Sequence, residues 1–254
     1  MKKAISLLLT LVLAAGSFAL PTFAAEDKIQ VTEDISVSAD YDWTRFKGQN
    51  VSLNVYNWGL YISDGSDESV DVISAFEELT GIKVNYTTFD TNESMYAKLK
   101  SGGASYDVIF PSDYMLGKMA NEGMLLPLNK ENIPNLAGIS ELYLDKEYDP
   151  GNVYSVPYMW CMVGITYNKD MVDEADLEQG WNLLWDPRYT GQILQFNNSR
   201  DCFAMALKTL GRSMNPTSTQ DIDDALVKLQ EQKPLVQAYV MDEVFDKMGG
   251  GEAA

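Results

Sequence analysis

The chain has 254 residues, 46% of them apolar and 22% charged, which suffices for one large domain or two units of about 100 residues each and excludes a disordered polymer. With 19 basic against 37 acidic residues its net charge is −18, a surface that repels nucleic acid and anionic lipid and favours cationic partners. Histidine is absent, which removes Ser-His-Asp and Cys-His triads and histidine zinc sites; an enzyme here would run on carboxylates, tyrosine or lysine.

In chain order, Lys2-Lys3, an apolar run from Ile5 to Ala15 and the small residues before Ala24-Ala25 predict a secretory signal peptide over residues 1–24. The run is too short to cross a bilayer, so the mature protein is expected outside the cytoplasm, in the periplasm or on the outer face of the cell membrane. No cysteine lies near the cut to carry a lipid anchor. Residues 25–50 form an acidic leader with little periodicity, and ordered structure is expected from Val51. Leu53 to Tyr56 alternates as a strand and breaks at Asn57-Trp58-Gly59-Leu60-Tyr61. Ser66 or Asp67 can cap a helix with Val72, Phe76 and Leu79 on one face, and Gly81 sits where it stops. A strand from Ile82 to Tyr86, a helix from Asn92 to Lys100 and the run YDVIFPSDY, Tyr106 to Tyr114, complete a strand–helix alternation. That alternation is the pattern of an α/β fold with a parallel sheet.

Composition then changes. Residues 129–152 are rich in turn formers, and YSVPYMWCMVGITYN from Tyr154 to Asn168 is read as two strands. One crosses up to Pro157, and the second, Cys161 to Tyr167, opens a new unit. The predicted organisation is therefore residues 51–156 and 157–254, hinged near Val156-Pro157. In the second part Trp181 to Tyr189 reads as a short helix and turn, Gln192 to Phe196 as a strand, and Phe203, Ala206, Leu207 and Leu210 as a helix face. Ile222, Ala225, Leu226 and Leu229 mark a further helix, Leu235 to Val240 a strand, and Asp242 to Met248 a helical turn. Cys161 and Cys202 can form one disulfide in an oxidising compartment or remain as buried thiols; their spacing matches no metal motif.

Three strand ends carry polar or aromatic groups: Trp58 and Tyr61; Ser112, Asp113 and Tyr114; Asn198 and Asp201. In open α/β sheets ligands bind at the carboxyl ends of strands, so a cleft between the units would bring these groups face to face. Aromatic rings beside carboxylates suit an organic cation, and also a sugar. Each residue has a structural role open to it as well: Trp58 and Tyr61 in a core, Ser112 as a helix cap, Asp201 as a first-turn charge.

Six stretches occur together: YNW-x-x-Y at Tyr56 to Tyr61, TGIKV at Thr80 to Val84, NESMYAKL at Asn92 to Leu99, YDVIFPSDY, YSVPYMW at Tyr154 to Trp160, and R-D-x-F-x-M-A-L at Arg200 to Leu207. In these, from Leu53 to Ala254, the chain resembles the spermidine/putrescine-binding family of bacterial ABC importers. The resemblance implies a two-lobed periplasmic-binding-protein fold (type II), each lobe a mostly parallel sheet flanked by helices, closing over a polyamine. It implies a solute receptor rather than an enzyme, working as a monomer without a cofactor or metal, with a membrane permease as its partner. Carried over, Trp58 and Tyr61 box in the polyamine, Ser112 and Tyr114 belong to the Pro-Ser-x-Tyr contacts, and Asp201 pairs with an amine. Asn198 stands where members often have aspartate and Leu60 where they commonly have an acid; Asp113 and Arg200 join the set as flanking contacts. Members continue well past the position of Ala254, so the second lobe and the segment returning to the first are expected to be incomplete. A chain stopping there would be unstable and bind weakly. The other readings are a receptor for another organic cation or a small sugar, a secreted carboxylate-based hydrolase, and an adhesion module.

Overall fold

In the computed structural model, residues 27–254 are described; the expected signal peptide lies outside them. Strand β3, Ser52–Trp58, is the centre of the first unit, with β4, Lys83–Phe89, and β5, Val108–Ile109, parallel to it on either side. Helices α1, Val72–Thr80, and α2, Asn92–Lys100, make the two crossovers, and α3, Asp113–Asn121, leaves β5. Two short strands, β1 Lys28–Gln30 and β2 Ser36–Ser38, precede this sheet as an antiparallel hairpin.

The register pairs Trp58 with Phe89 and Tyr56 with Ile109, so all three strands end at one edge. Below that edge Tyr56, Trp58, Phe89, Met95, Met115 and Met119 form one continuous core. Met95 and Met119 are completely enclosed, and unbranched thioethers of this kind fill the irregular space between aromatic rings.

The second unit repeats the design with less material. Strand β6, Ile193–Phe196, pairs in parallel with β7, Val236–Val240, through helices α4, Ser199–Thr209, and α5, Thr219–Gln232; α6, Glu243–Gly249, follows. Its apolar interior is split between one cluster around Val172, Leu183, Tyr189 and Ile193 and another around Ala206, Leu207 and Ala225. Between them lies a buried polar link in which the Gln232 side-chain amide donates to Gln195 Oε1 at 2.9 Å and to the Leu184 carbonyl at 3.1 Å. A cavity of about 310 Å³ opens among Ile165, Tyr167, Ile193, Val240, Phe245 and Met248.

The α/β class and the parallel sheets are as read from the sequence; three local expectations need correction, and the cysteine alternatives are decided. The leader is not merely extended: β1 and β2 pair, and Trp43 Nε1 donates to the Ser38 carbonyl at 2.7 Å. Helix α1 is capped by Asp71, whose Oδ1 accepts the Ser74 N–H at 2.8 Å, rather than by Ser66 or Asp67. Residues 154–168 form no strand, because among the described residues no neighbouring chain supplies a ladder for them; Ile165 and Tyr167 instead pack on the second core. Cys161 is exposed and Cys202 buried, and both are free thiols; Cys202 Sγ donates to the Phe196 carbonyl at 2.9 Å. Among the described residues no helix is long and apolar enough to cross a membrane.

Candidate functional site

The edge of the first sheet is built around aromatic rings. Trp58 is the last residue of β3 and only 8% exposed, with its ring 4.6 Å from Phe89 and 5.9 Å from Tyr61. It therefore serves as a floor beneath Tyr61, which is half-buried above it. The Tyr158 hydroxyl donates to the Tyr61 carbonyl, and the Tyr158 ring meets Phe110 edge-on at 4.9 Å.

Ser112 occupies the N-cap position of α3, its carbonyl accepting the Met115 and Leu116 N–H groups but its side chain making no cap bond. Its partner is Asn92, the buried first residue of α2: Asn92 Nδ2 donates to Ser112 Oγ at 3.0 Å, and the Ser112 N–H donates to Asn92 Oδ1 at 3.0 Å. This pair ties two helix starts together and fixes Tyr114, whose hydroxyl donates to Glu93 Oε1 at 2.9 Å. Burial, followed by the bond to Glu93, pushes the Tyr114 pKa up to about 12, so the phenol stays a neutral donor.

The second sheet contributes acids at its own carboxyl edge. Asn198 caps α4, its Oδ1 accepting the Arg200 N–H at 3.1 Å, and Asp201 follows in the first turn. Burial alone raises the Asp201 pKa above the usual carboxylate value. Asp242, just past β7, is likewise raised, by burial first and then by Glu243 and Asp90. A Cβ placed on Gly59 would collide with Asp242 Oδ2, so the two sheet edges meet at this point. The Tyr61 pKa is raised by burial and then by Cys161, Asp201 and Asp242, which places both carboxylates within electrostatic reach of its hydroxyl. Arg200 reaches across to Tyr114, its guanidinium carbon 4.3 Å from the ring centroid.

The expected residues thus separate into groups. Tyr61, Tyr114, Arg200 and Asp201 come together across the edges, Trp58 and Ser112 support them, and Asn198 is engaged as a cap. Asp113 is exposed and uses Oδ1 to accept the Tyr114 N–H at 2.6 Å, while Leu60 projects into solvent, 65% exposed. None of these residues lines the cavity of the second unit. Sequence reasoning missed Glu93, Asn92 and Asp242. Asp242 had the same signal as Asp201, a carboxylate just beyond a predicted parallel strand; Glu93 had only its place in the first turn of a helix.

Residues 71–252 match the family described as bacterial extracellular solute-binding protein. The chain belongs to that family. It is 37% identical over 204 residues to the spermidine/putrescine-binding periplasmic protein of Escherichia coli K12, covering 80% of this chain and 57% of that protein. It therefore spans a little over half the length of the curated relatives it matches. Among solved structures, PotD, the spermidine/putrescine transporter substrate-binding protein of Streptococcus pneumoniae, is 38% identical with a TM-score of 0.61, covering 81% of this chain and 61% of that one. The Tp0655 (TpPotD) lipoprotein of Treponema pallidum is 27% identical with a TM-score of 0.69, covering 80% and 61%. These likenesses bear out the two-lobed periplasmic-binding-protein fold (type II) read from the sequence motifs.

Proposed function

We propose that the protein is the extracytoplasmic receptor of a polyamine ABC transporter, binding putrescine or spermidine between its lobes and handing it as a monomer to a membrane permease. The lobes are residues 51–156 and 157–254, hinged near Val156-Pro157. One observation carries this reading. Asp201 and Asp242 face Tyr61 from the opposite lobe with raised pKa values, and among the described residues neither has an ion pair within 4.0 Å. Carboxylates without a countercharge beside aromatic rings, Asp201 half-buried and Asp242 at the exposed rim, favour a cation whose ammonium group pairs with the acid and whose methylenes lie on the rings.

Glu93 adds an acid from the first lobe, already accepting from Tyr114, and a ligand spanning Glu93 and Asp201 would touch both lobes only when they close. Differential contact of that kind drives closure. The neutral Leu60 and Asn198 leave fewer charges than a site with acids at both positions. No covalent step is part of this reading, and no cofactor or metal takes part. Calorimetric titration with putrescine, spermidine, choline and maltose tests it. Saturable heat at one site per chain with a diamine or triamine is expected, and none with maltose. Absence of heat with every polyamine, or turnover of a glycoside that disappears in Asp201→Asn, would refute it.

A further inference from the structure

Arg200 breaks a local rule. As the second residue of α4 it places a cation at the positive end of the helix dipole, where acids are favoured and bases are not. It is exposed, and among the described residues its guanidinium makes no hydrogen bond and no ion pair within 4.0 Å. Its one defined contact is the face of Tyr114, a residue of the other lobe anchored through its hydroxyl to Glu93. The one defined contact of this side chain is therefore made across the cleft and not within its own lobe.

We infer that Arg200 is a closing latch: its guanidinium docks on the Tyr114 ring and holds the two lobes together, whatever the number of amines on the ligand. The inference rests on the binding reading above and assigns Arg200 a positioning role through Tyr114 rather than a pairing role with the solute. A cation over an aromatic face at an exposed site corresponds to a modest preference for the docked state. That suits a latch, which must release as well as hold. The planar guanidinium stacks where an ammonium only points, so lysine should substitute in part.

Dissociation rates measured by stopped flow test this. Arg200→Gln is expected to speed release of putrescine and of spermidine by the same factor, about two- to fivefold, leaving their affinity ratio unchanged, and Arg200→Lys to recover part of the loss. An unchanged release rate, or an effect confined to one of the two ligands, would overturn the latch, the second outcome making Arg200 a reader of ligand charge. If neither polyamine binds the unaltered protein, the polyamine reading fails and small-angle X-ray scattering still decides the latch. A larger radius of gyration for ligand-free Arg200→Gln than for the unaltered protein supports it, and equal radii overturn it.

Discussion

The two lobes reach the same cleft with unequal foundations. In the first, three strands and one continuous aromatic and methionine core stand directly behind Tyr61, Ser112 and Tyr114. In the second, two strands, a divided apolar interior, a cavity and a buried glutamine pair stand behind Asp201 and Asp242. Among the described residues, the rings at the meeting edges are backed by the continuous core, and Asp201 and Asp242 by the divided one. Aromatic recognition needs rings fixed to within a fraction of an ångström, whereas a carboxylate attracts a cation over several ångströms and tolerates more play.

Core substitutions should break that contrast most strongly. Met119→Ala removes a fully enclosed side chain from the continuous core and is expected to cost about 2–5 kcal/mol of stability in chemical denaturation. Gln232→Ala leaves Gln195 Oε1 and the Leu184 carbonyl without their donor and should cost about 1–3 kcal/mol. The interior of the second lobe is already divided, so this loss should remain local, with amide exchange accelerating around β6, α4 and α5 and not around β3. Equal costs spread over both lobes would show that the difference in packing has no energetic meaning.

A smaller effect sharpens the electrostatic half. Because Asp201 and Asp242 have raised pKa values in the free protein and a bound ammonium requires their ionised forms, affinity is full at pH above those values. It falls as pH drops through them, beginning higher than for an ordinary aspartate. In the ligand-free protein the same shift runs the other way: protonation relieves charges that folding partly desolvates, so the two acids favour the fold as pH falls. Asp176 and Asp186, lowered mainly by their hydrogen bonds to Tyr189 and Arg188 respectively, contribute stability above their unfolded values and lose it as pH falls through their folded ones. Affinity that stayed constant until the pH of an unperturbed carboxylate would remove burial of the acids from the account.

Much of this is legible in the residue string. The alternation at β3, the period of α4 and the breaker after Phe110 each reflect local chain chemistry, and the rule that ligands gather at strand ends singles out Tyr61, Tyr114 and Asp201, which the fold brings to the meeting edges. Pairing was not legible. Residues 161–167 have a strand's composition but no ladder, and Lys28–Gln30 has little of that composition yet finds a partner in Ser36–Ser38. Burial was the other blind spot: Trp58 reads in sequence either as a ligand-facing ring or as a core residue, and its packing against Phe89 shows it buried beneath Tyr61. Nor does the residue string show that Asp113 turns back on its own helix, or that the Asp242 carboxylate arrives beside Gly59.

The central claim is that one solute is gripped from both sides, and the most direct test removes one contact from each lobe. Putrescine affinity should be measured by calorimetry for Tyr61→Leu and for Asp201→Asn, with circular dichroism confirming that both variants fold. The account predicts that each change alone weakens binding by at least about tenfold; full affinity in either folded variant would mean that the solute is held by one lobe only and would contradict the account.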